Sequence, residues 1–205
     1  ADFMHPEFAR ICESLNVRLR FLRKLWEYAY IVHHLERAGK LGAGSRGVVF
    51  GVGAEPLPAA LAARGCRIVA TDAPTDVADV GGWRGYRHSE AVDALTHEGI
   101  CDLDTLRENV SHRFVDMNDI PPDLDGFDFA WSACCFEHLG SLRNGADFVV
   151  NSVEACLRPG GIAVHTTEYN LSSNNETLEV PNLSIYRRSD IEALIDRLRQ
   201  RGHGV

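Results

Sequence analysis

The sequence predicts an α/β protein built on a doubly wound, mostly parallel sheet, with a helical segment ahead of it. Three observations predict this. Short apolar runs alternate with helix-spaced stretches from residue 47 onward, the pattern of strands joined by helical crossovers. A glycine turn, Gly51-Val-Gly53-Ala-Glu55-Pro56, links the first apolar run, Gly47-Val-Val-Phe50, to the helix-forming Pro58-Ala-Ala-Leu-Ala-Ala-Arg64. The second apolar run, Arg67-Ile-Val-Ala-Thr71, ends on Asp72, nineteen residues beyond Gly53.

The elements follow in order. From Pro6 to about Gly39, Phe8, Ile11, Leu15, Leu19, Leu22, Leu25, Trp26, Ala29, Val32 and Leu35 recur at steps of three and four, which is helical spacing. Residues 1–44 are expected to form a helical extension or cap, and 45–205 the ligand-binding domain. Residues 47–51 read as a first strand, 56–64 as a helix and 67–72 as a second strand, and their crossover makes the two parallel. The pattern weakens between Ala73 and Ser111, where Gly81-Gly82 and the aromatics Trp83 and Tyr86 lie, apart from a helix near 102–109. Residues 112–117 and 127–132 read as strands three and four across the turn-rich 118–126. A helix over 146–157 stops at Arg158-Pro-Gly-Gly161, 162–167 forms a fifth strand, and Ser189 and Asp190 lead into an amphipathic helix carrying Ile191, Leu194, Ile195 and Leu198.

Composition narrows the function. The chain has 205 residues, 45% hydrophobic and 24% charged, which is ordinary for a globular protein with one core. A net charge of −8 with no basic stripe argues against nucleic acid as a partner. The six cysteines show no C-x-x-C spacing and read as reduced core thiols, Cys134 and Cys135 included. No apolar run approaches the roughly 20 residues of a membrane span and no leader pattern is present, so a cytoplasmic location is expected. The chain opens on Ala1-Asp2-Phe3 and stops directly after a helical pattern, so part of the protein is expected to be missing.

The glycine turn carries most of the chemistry. A strand turning sharply into a helix lets its backbone approach a ligand only where no Cβ intervenes, and Asp72 offers two acceptor oxygens to a ribose diol. A dinucleotide site needs a further glycine where this chain has Pro56, and Glu55 would repel a pyrophosphate at the helix start. NAD and FAD are therefore disfavoured. An adenosine ligand without phosphate, S-adenosylmethionine being the common one, fits better. The plain alternative is a tight turn with no ligand.

Two later segments sharpen this reading. Phe127-Asp-Phe-Ala-Trp-Ser-Ala-Cys-Cys-Phe-Glu137-His138-Leu and Cys156-Leu-Arg-Pro-Gly-Gly-Ile-Ala-Val164 resemble the fourth-strand motif and the "L-x-P-G-G" turn of class I S-adenosylmethionine-dependent methyltransferases. With the glycine turn and Asp72, the resemblance covers residues 47–168 and implies a Rossmann-like sheet. It places Gly51, Val52 and Gly53 along the methionine part of the cofactor, Asp72 on the ribose hydroxyls and Ala73 near the adenine. Asp116 and Met117 match the family's adenine-binding pair, and Ser132 and Ala133 lie under the sulfonium. The chain departs from the family at Val49, where many members carry an acid, and at Glu55, where they carry glycine; Glu55 could supply the missing carboxylate by proximity. G-V-G-x-E-P-L-P, E-H-L-G-S-L and H-T-T-E-[YF]-N are similar to a bacterial group found with surface-polysaccharide genes. The family's sheet normally continues with two strands beyond the last helix, and the chain ends before them.

Methyl transfer from a sulfonium is an in-line displacement, so alignment of the acceptor and exclusion of water dominate. For a hydroxyl acceptor a histidine is the base best matched to neutral pH, and His138 is the first candidate, with Glu137 orienting its ring or touching the ribose. The competing reading makes Glu137 a helix cap and His138 a packing residue. Glu168, Tyr169 and Asn170 leave the fifth strand toward the same crevice and are candidate acceptor contacts; Trp83, Tyr86 and His88 are candidates for an acceptor wall. His165 reads as a satisfied core histidine. No established metal-ligand spacing is present, and no metal site is predicted. The expected function is O-methylation of a small polar acceptor such as a saccharide. The alternatives are a non-catalytic scaffold on the same fold and a nicotinamide-dependent oxidoreductase.

Overall fold

The structure is a computed structural model that describes residues 2–74 and 91–205. Its helices are α1 Pro6–Ser14, α2 Arg23–Arg37, α3 Leu57–Ala62, α4 Leu103–Asn109, α5 Leu142–Glu154 and α6 Arg188–Gln200. The strands are β1 Arg46–Phe50, β2 Arg67–Asp72, β3 Val110–Phe114, β4 Phe127–Ala133 and β5 Leu157–Thr166, with the short pair β6 Glu179–Val180 and β7 Leu183–Ser184. β1 to β5 form one sheet in the order β3-β2-β1-β4-β5, and every pairing in it is parallel. β6 and β7 form a separate antiparallel pair.

Alternation along the strands sorts the core into two layers. Val49, Phe129 and Trp131 face α1, α2, α3 and α4, while Val48, Phe50 and Ala130 face α5 and α6. The N-terminal helices share one core with the sheet: Ile11, Ile31, Val32 and Leu35 are all buried in the first layer. No helix joins β3 to β4, and Val115, Met117 and Leu124 from that connection help to fill the second layer. Among the described residues no helix is long and apolar enough to cross a membrane. All six cysteines are free thiols.

The differences from the sequence expectation have local causes. The helical spacing over 6–39 is interrupted after Ser14, because Asn16 takes φ +48° and the Val17 and Asn16 N–H groups return to Cys12 and Glu13 carbonyls, a helix-ending motif that asparagine tolerates. Asn16 is held there by a side-chain hydrogen bond to the Glu98 carbonyl at 2.9 Å. The third strand is Val110–Phe114 rather than 112–117, since α4 runs straight into it and its register is set by Ile68–Asp72 of β2. α5 starts at Leu142, four residues early, because the Ser141 hydroxyl caps it by accepting from Asn144 N–H. β5 begins at Leu157, ahead of the Pro-Gly-Gly turn, with a register shift opposite Phe127 and Phe129.

β1 is held tightly between its neighbours. A Cβ on Gly47 would lie 2.2 Å from Cε2 of Phe129, a fully buried ring. Gly47→Ala should therefore cost about 1–3 kcal/mol through overpacking. In a urea titration the midpoint should fall with the slope unchanged; an unaltered midpoint would contradict this packing.

Candidate cofactor crevice

β1 lies between β2 and β4, so the chain runs outward in opposite senses on its two sides, and the carboxyl ends of β1 and β4 are the switch point where parallel α/β sheets form their ligand crevice. The glycine turn sits there. Gly51 and Gly53 have φ of +65° and +51°, and a Cβ on Gly51 would stand 2.6 Å from the Cys135 sulfur. Val52 N–H donates to the Thr71 carbonyl at 2.9 Å, tying the turn to β2. The Asp72 carboxylate accepts from Gly53 N–H at 3.1 Å and from Ala73 N–H at 2.9 Å, so the turn and the acid form one unit.

Glu55 points inward from the same turn and is 4% exposed. The Trp131 indole N–H donates to its Oε1 at 2.6 Å, and burial pushes its carboxyl up to about 8 against the pull of Trp131 and Lys24, with Glu27 and Asp72 adding to the rise.

α2, expected as an extension or cap, brings individual polar residues to this end of the sheet that the sequence reading did not single out. Lys24, Glu27, Tyr28, Ile31 and Leu35 fall on one helical stripe; its C-terminal half is apolar and its first turns are not. Lys24 Nζ donates to the Ala133 carbonyl at 2.8 Å and to Glu27 at 2.9 Å. The Glu27 carboxylate is 1% exposed and accepts from the Cys134 thiol at 3.2 Å. Burial, reinforced by Glu55 and Glu27, raises the Tyr28 phenol. Burial opposes the charge on Lys24, but its bond to Glu27 wins and its pKa is raised. Charged residues, Lys24 and Glu27, on the stripe that continues as the apolar Ile31 and Leu35 were the available signal.

β4 ends in a strained residue: Cys134 takes φ +52°, a conformation that costs a non-glycine residue about 1–3 kcal/mol. Its N–H reaches the Thr166 carbonyl at 3.0 Å, and the next thiol, Cys135, packs on Gly51. Burial raises both thiols, which makes them poor nucleophiles.

Ala133 meets Lys24 through its carbonyl, whereas the Ser132 side chain turns to the opposite layer. Ser132 Oγ lies 2.8 Å from His165 Nδ1, and His165 Nε2 lies 3.0 Å from Ser152 Oγ. Ser152 gives its one proton to the Val149 carbonyl, so it accepts from Nε2–H, and Nδ1 accepts from Ser132. Burial lowers His165 to about 4, so the ring is neutral. In the unfolded chain a histidine titrates near 6.5. Between about pH 6.5 and 4 the unfolded state therefore binds a proton at His165 that the native state refuses, so the contribution of His165 to stability falls as pH falls through that window and is flat above it, while Glu55, raised to about 8, contributes a slope of the opposite sign up to that pH. His165→Gln should be destabilised at pH 8 yet lose this slope; an unchanged slope in denaturation at several pH values would remove His165 as its source.

Asp116 and Met117 lie just past β3. Asp116 accepts from Asn118 N–H at 2.8 Å and Met117 is 9% exposed. A polar cavity of about 470 Å³ adjoins them on the α5 side, lined by Met117, Asn118, Arg143, Asn144, Asp147, Phe148, Asn151 and Arg197. Of the residues predicted to hold the cofactor, it takes in Met117 alone.

Glu137 and His138 diverge. Glu137 is fully buried, accepts from the Thr167 hydroxyl at 3.2 Å and has its pKa raised mainly by burial. His138 Nδ1 lies 2.8 Å from the Asn182 carbonyl, which can only accept, so Nδ1 carries the proton and the ring lone pair is on Nε2. The Asn182 carbonyl orients the ring at Nδ1, and nothing local to His138 in the sequence indicates this partner 44 residues away. Glu168 pairs with Arg23 of α2 at 2.5 Å, joining the helix to the loop after β5. Tyr169 is 44% exposed. The Asn170 side chain organises its own loop, accepting from Ser172 and Ser173 N–H and donating to the Glu176 carbonyl. Trp83, Tyr86 and His88 lie outside the described residues.

No family model and no curated protein matches the sequence. Solved structures do. The DhpI–SAH complex aligns with a TM-score of 0.53 at 17% identity, over 95% of this chain and 82% of that one. An S-adenosylmethionine-dependent methyltransferase from Clostridium acetobutylicum ATCC 824 aligns with a TM-score of 0.54 at 12% identity, over 93% and 85%. A structure from Rhodobacter sphaeroides, described as Zn-dependent alcohol dehydrogenases, aligns with a TM-score of 0.56 at 12% identity, over 96% and 88%. Identities this low speak for architecture alone, and one architecture hosts several chemistries. The chain has the Rossmann-like fold of the S-adenosylmethionine-dependent methyltransferases, a parallel five-stranded sheet between helical layers with helices ahead of it.

Proposed function

We propose that this protein is a methyltransferase that uses S-adenosylmethionine to O-methylate a small polar acceptor such as a saccharide. One observation carries the reading: Asp72 and the Gly51–Gly53 turn are joined by a hydrogen bond at the topological switch point of a parallel sheet. The residues present fit such a cofactor. Gly51 and Gly53 take the positive-φ backbone that a close approach to a ligand requires, the Asp72 carboxylate is tied to that turn through Gly53 N–H, and Glu27 and Glu55 stand beside it.

On this reading Gly51, Val52 and Gly53 line the methionine part and Asp72 and Ala73 hold the ribose and adjoin the adenine. Asp116 and Met117 contact the adenine, and Ser132 and Ala133 lie beneath the reactive centre. When bound, the cofactor supplies an electrophilic methyl group. The protein's share is alignment and dryness. α2 and residues 1–44 act as a cap over the domain of 45–205, with Lys24 and Arg23 bridging to β4 and to the loop after β5. His138 accepts the acceptor's hydroxyl proton on Nε2, Glu137 shapes the floor beside it, and Glu168, Tyr169 and Asn170 border the acceptor. The charge of −8 and the free thiols favour a cytoplasmic enzyme acting on a small molecule or glycan rather than on nucleic acid.

Calorimetric titration should show binding of S-adenosylmethionine and S-adenosylhomocysteine, with both lost in Asp72→Ala; NAD binding in their place would convert the reading to an oxidoreductase. With a methyl-labelled cofactor and a panel of saccharides, His138→Ala should transfer label about 10²–10⁴-fold more slowly than the parent. Binding without any transfer across acceptor classes would point to a scaffold.

A further inference from the structure

Glu55 is the crevice's unexplained group. Its carboxyl is nearly sealed from solvent, receives a single hydrogen bond, from Trp131, and forms no ion pair among the described residues. The ammonium nearest in effect, Lys24, is already committed to Glu27 and the Ala133 carbonyl. The other titratable groups around it are Glu27 and Tyr28 from α2, Asp72 from β2, Cys135 after β4, and His97, whose ring approaches the backbone carbonyls of Ala54 and Glu55. Two of these are acids and the rest, Lys24 apart, are neutral or weakly charged. A buried carboxylate with one donor and no counter-ion keeps its proton.

That state changes when a cation arrives. Resting on the methyltransferase reading above, we propose that Glu55 distinguishes the cationic methyl donor from its neutral demethylated product by ionising only when the cation occupies the crevice. Binding then reads as Glu55 carboxylic acid plus donor cation giving a carboxylate–cation pair, with one proton released to solvent. After methyl transfer the sulfonium has become a thioether, the counter-charge is gone, and Glu55 takes a proton back. The burial that makes ionisation costly in the empty protein also makes the new ion pair strong. Tight binding of donor and loose binding of product follow from one side chain. Trp131 has a defined role: its indole N–H, 2.6 Å from Oε1, holds the carboxyl in place in both states.

The test is calorimetric titration of the wild-type protein with S-adenosylmethionine and with S-adenosylhomocysteine at pH 7, in buffers of different ionisation enthalpy. With a free-state pKa near 8, the donor should release close to one proton and the product far less. Affinity for the donor should rise by up to about tenfold per pH unit below pH 8, and the product's should stay nearly flat. Glu55→Gln should abolish both the proton release and the pH dependence and bring the two affinities together. Should that variant not fold, the wild-type proton count decides. Equal proton release by the two ligands, or none, with saturable binding of both, overturns the role of Glu55 and leaves the methyltransferase reading standing. Failure of both ligands to bind overturns that reading, and this inference with it.

Discussion

Gly51 and the Cys135 sulfur share a space that a single added methyl group would close, and the crevice depends on that contact. Because residue 51 lacks a Cβ and adopts φ +65°, β1 can turn under the chain leaving β4, bringing Gly53 N–H onto Asp72 and Glu55 onto Trp131. Three strands thus meet at one turn through hydrogen bonds of 2.6 and 3.1 Å. The parallel sheet supplies the rigidity: each of the three is buried on both faces and cannot shift without moving the core.

Around this turn the protein concentrates features that stability alone does not favour. Glu27, Glu55, Asp72 and Glu137 are buried acids, and Cys134 holds a strained backbone where β4 ends. The fifth buried acid, Asp128 near the start of β4, is paired with Arg46 N–H and Arg158, so the four at the carboxyl end, together with the strained Cys134, mark that end as the working one. The opposite layer treats its polar groups differently. Ser132, His165 and Ser152 satisfy one another in sequence, which fixes the tautomer of the imidazole and removes it from any exchange with solvent.

α2 links the two halves of this economy. Its apolar turns pack on the sheet while its first turns carry Arg23, Lys24 and Glu27 across the crevice to Glu168, Ala133 and Cys134. The helix thus serves as core at one end and as a polar cover at the other.

The amino-acid pattern by itself determined the sheet, its parallel sense and the positions of the glycine turn and Asp72, because strand alternation, helix periodicity and glycine's access to positive φ are local properties. Strand and helix ends were legible only to within a few residues: β3 took its register from β2, and α5 its start from the Ser141 cap. The tertiary structure alone decided which polar groups meet. Glu55 finds Trp131 across 76 residues, His138 finds Asn182 across 44, and Cys134 finds Glu27 across 107. Such partners are chosen by the packing of layers far apart in the chain, and no periodicity within a segment encodes them.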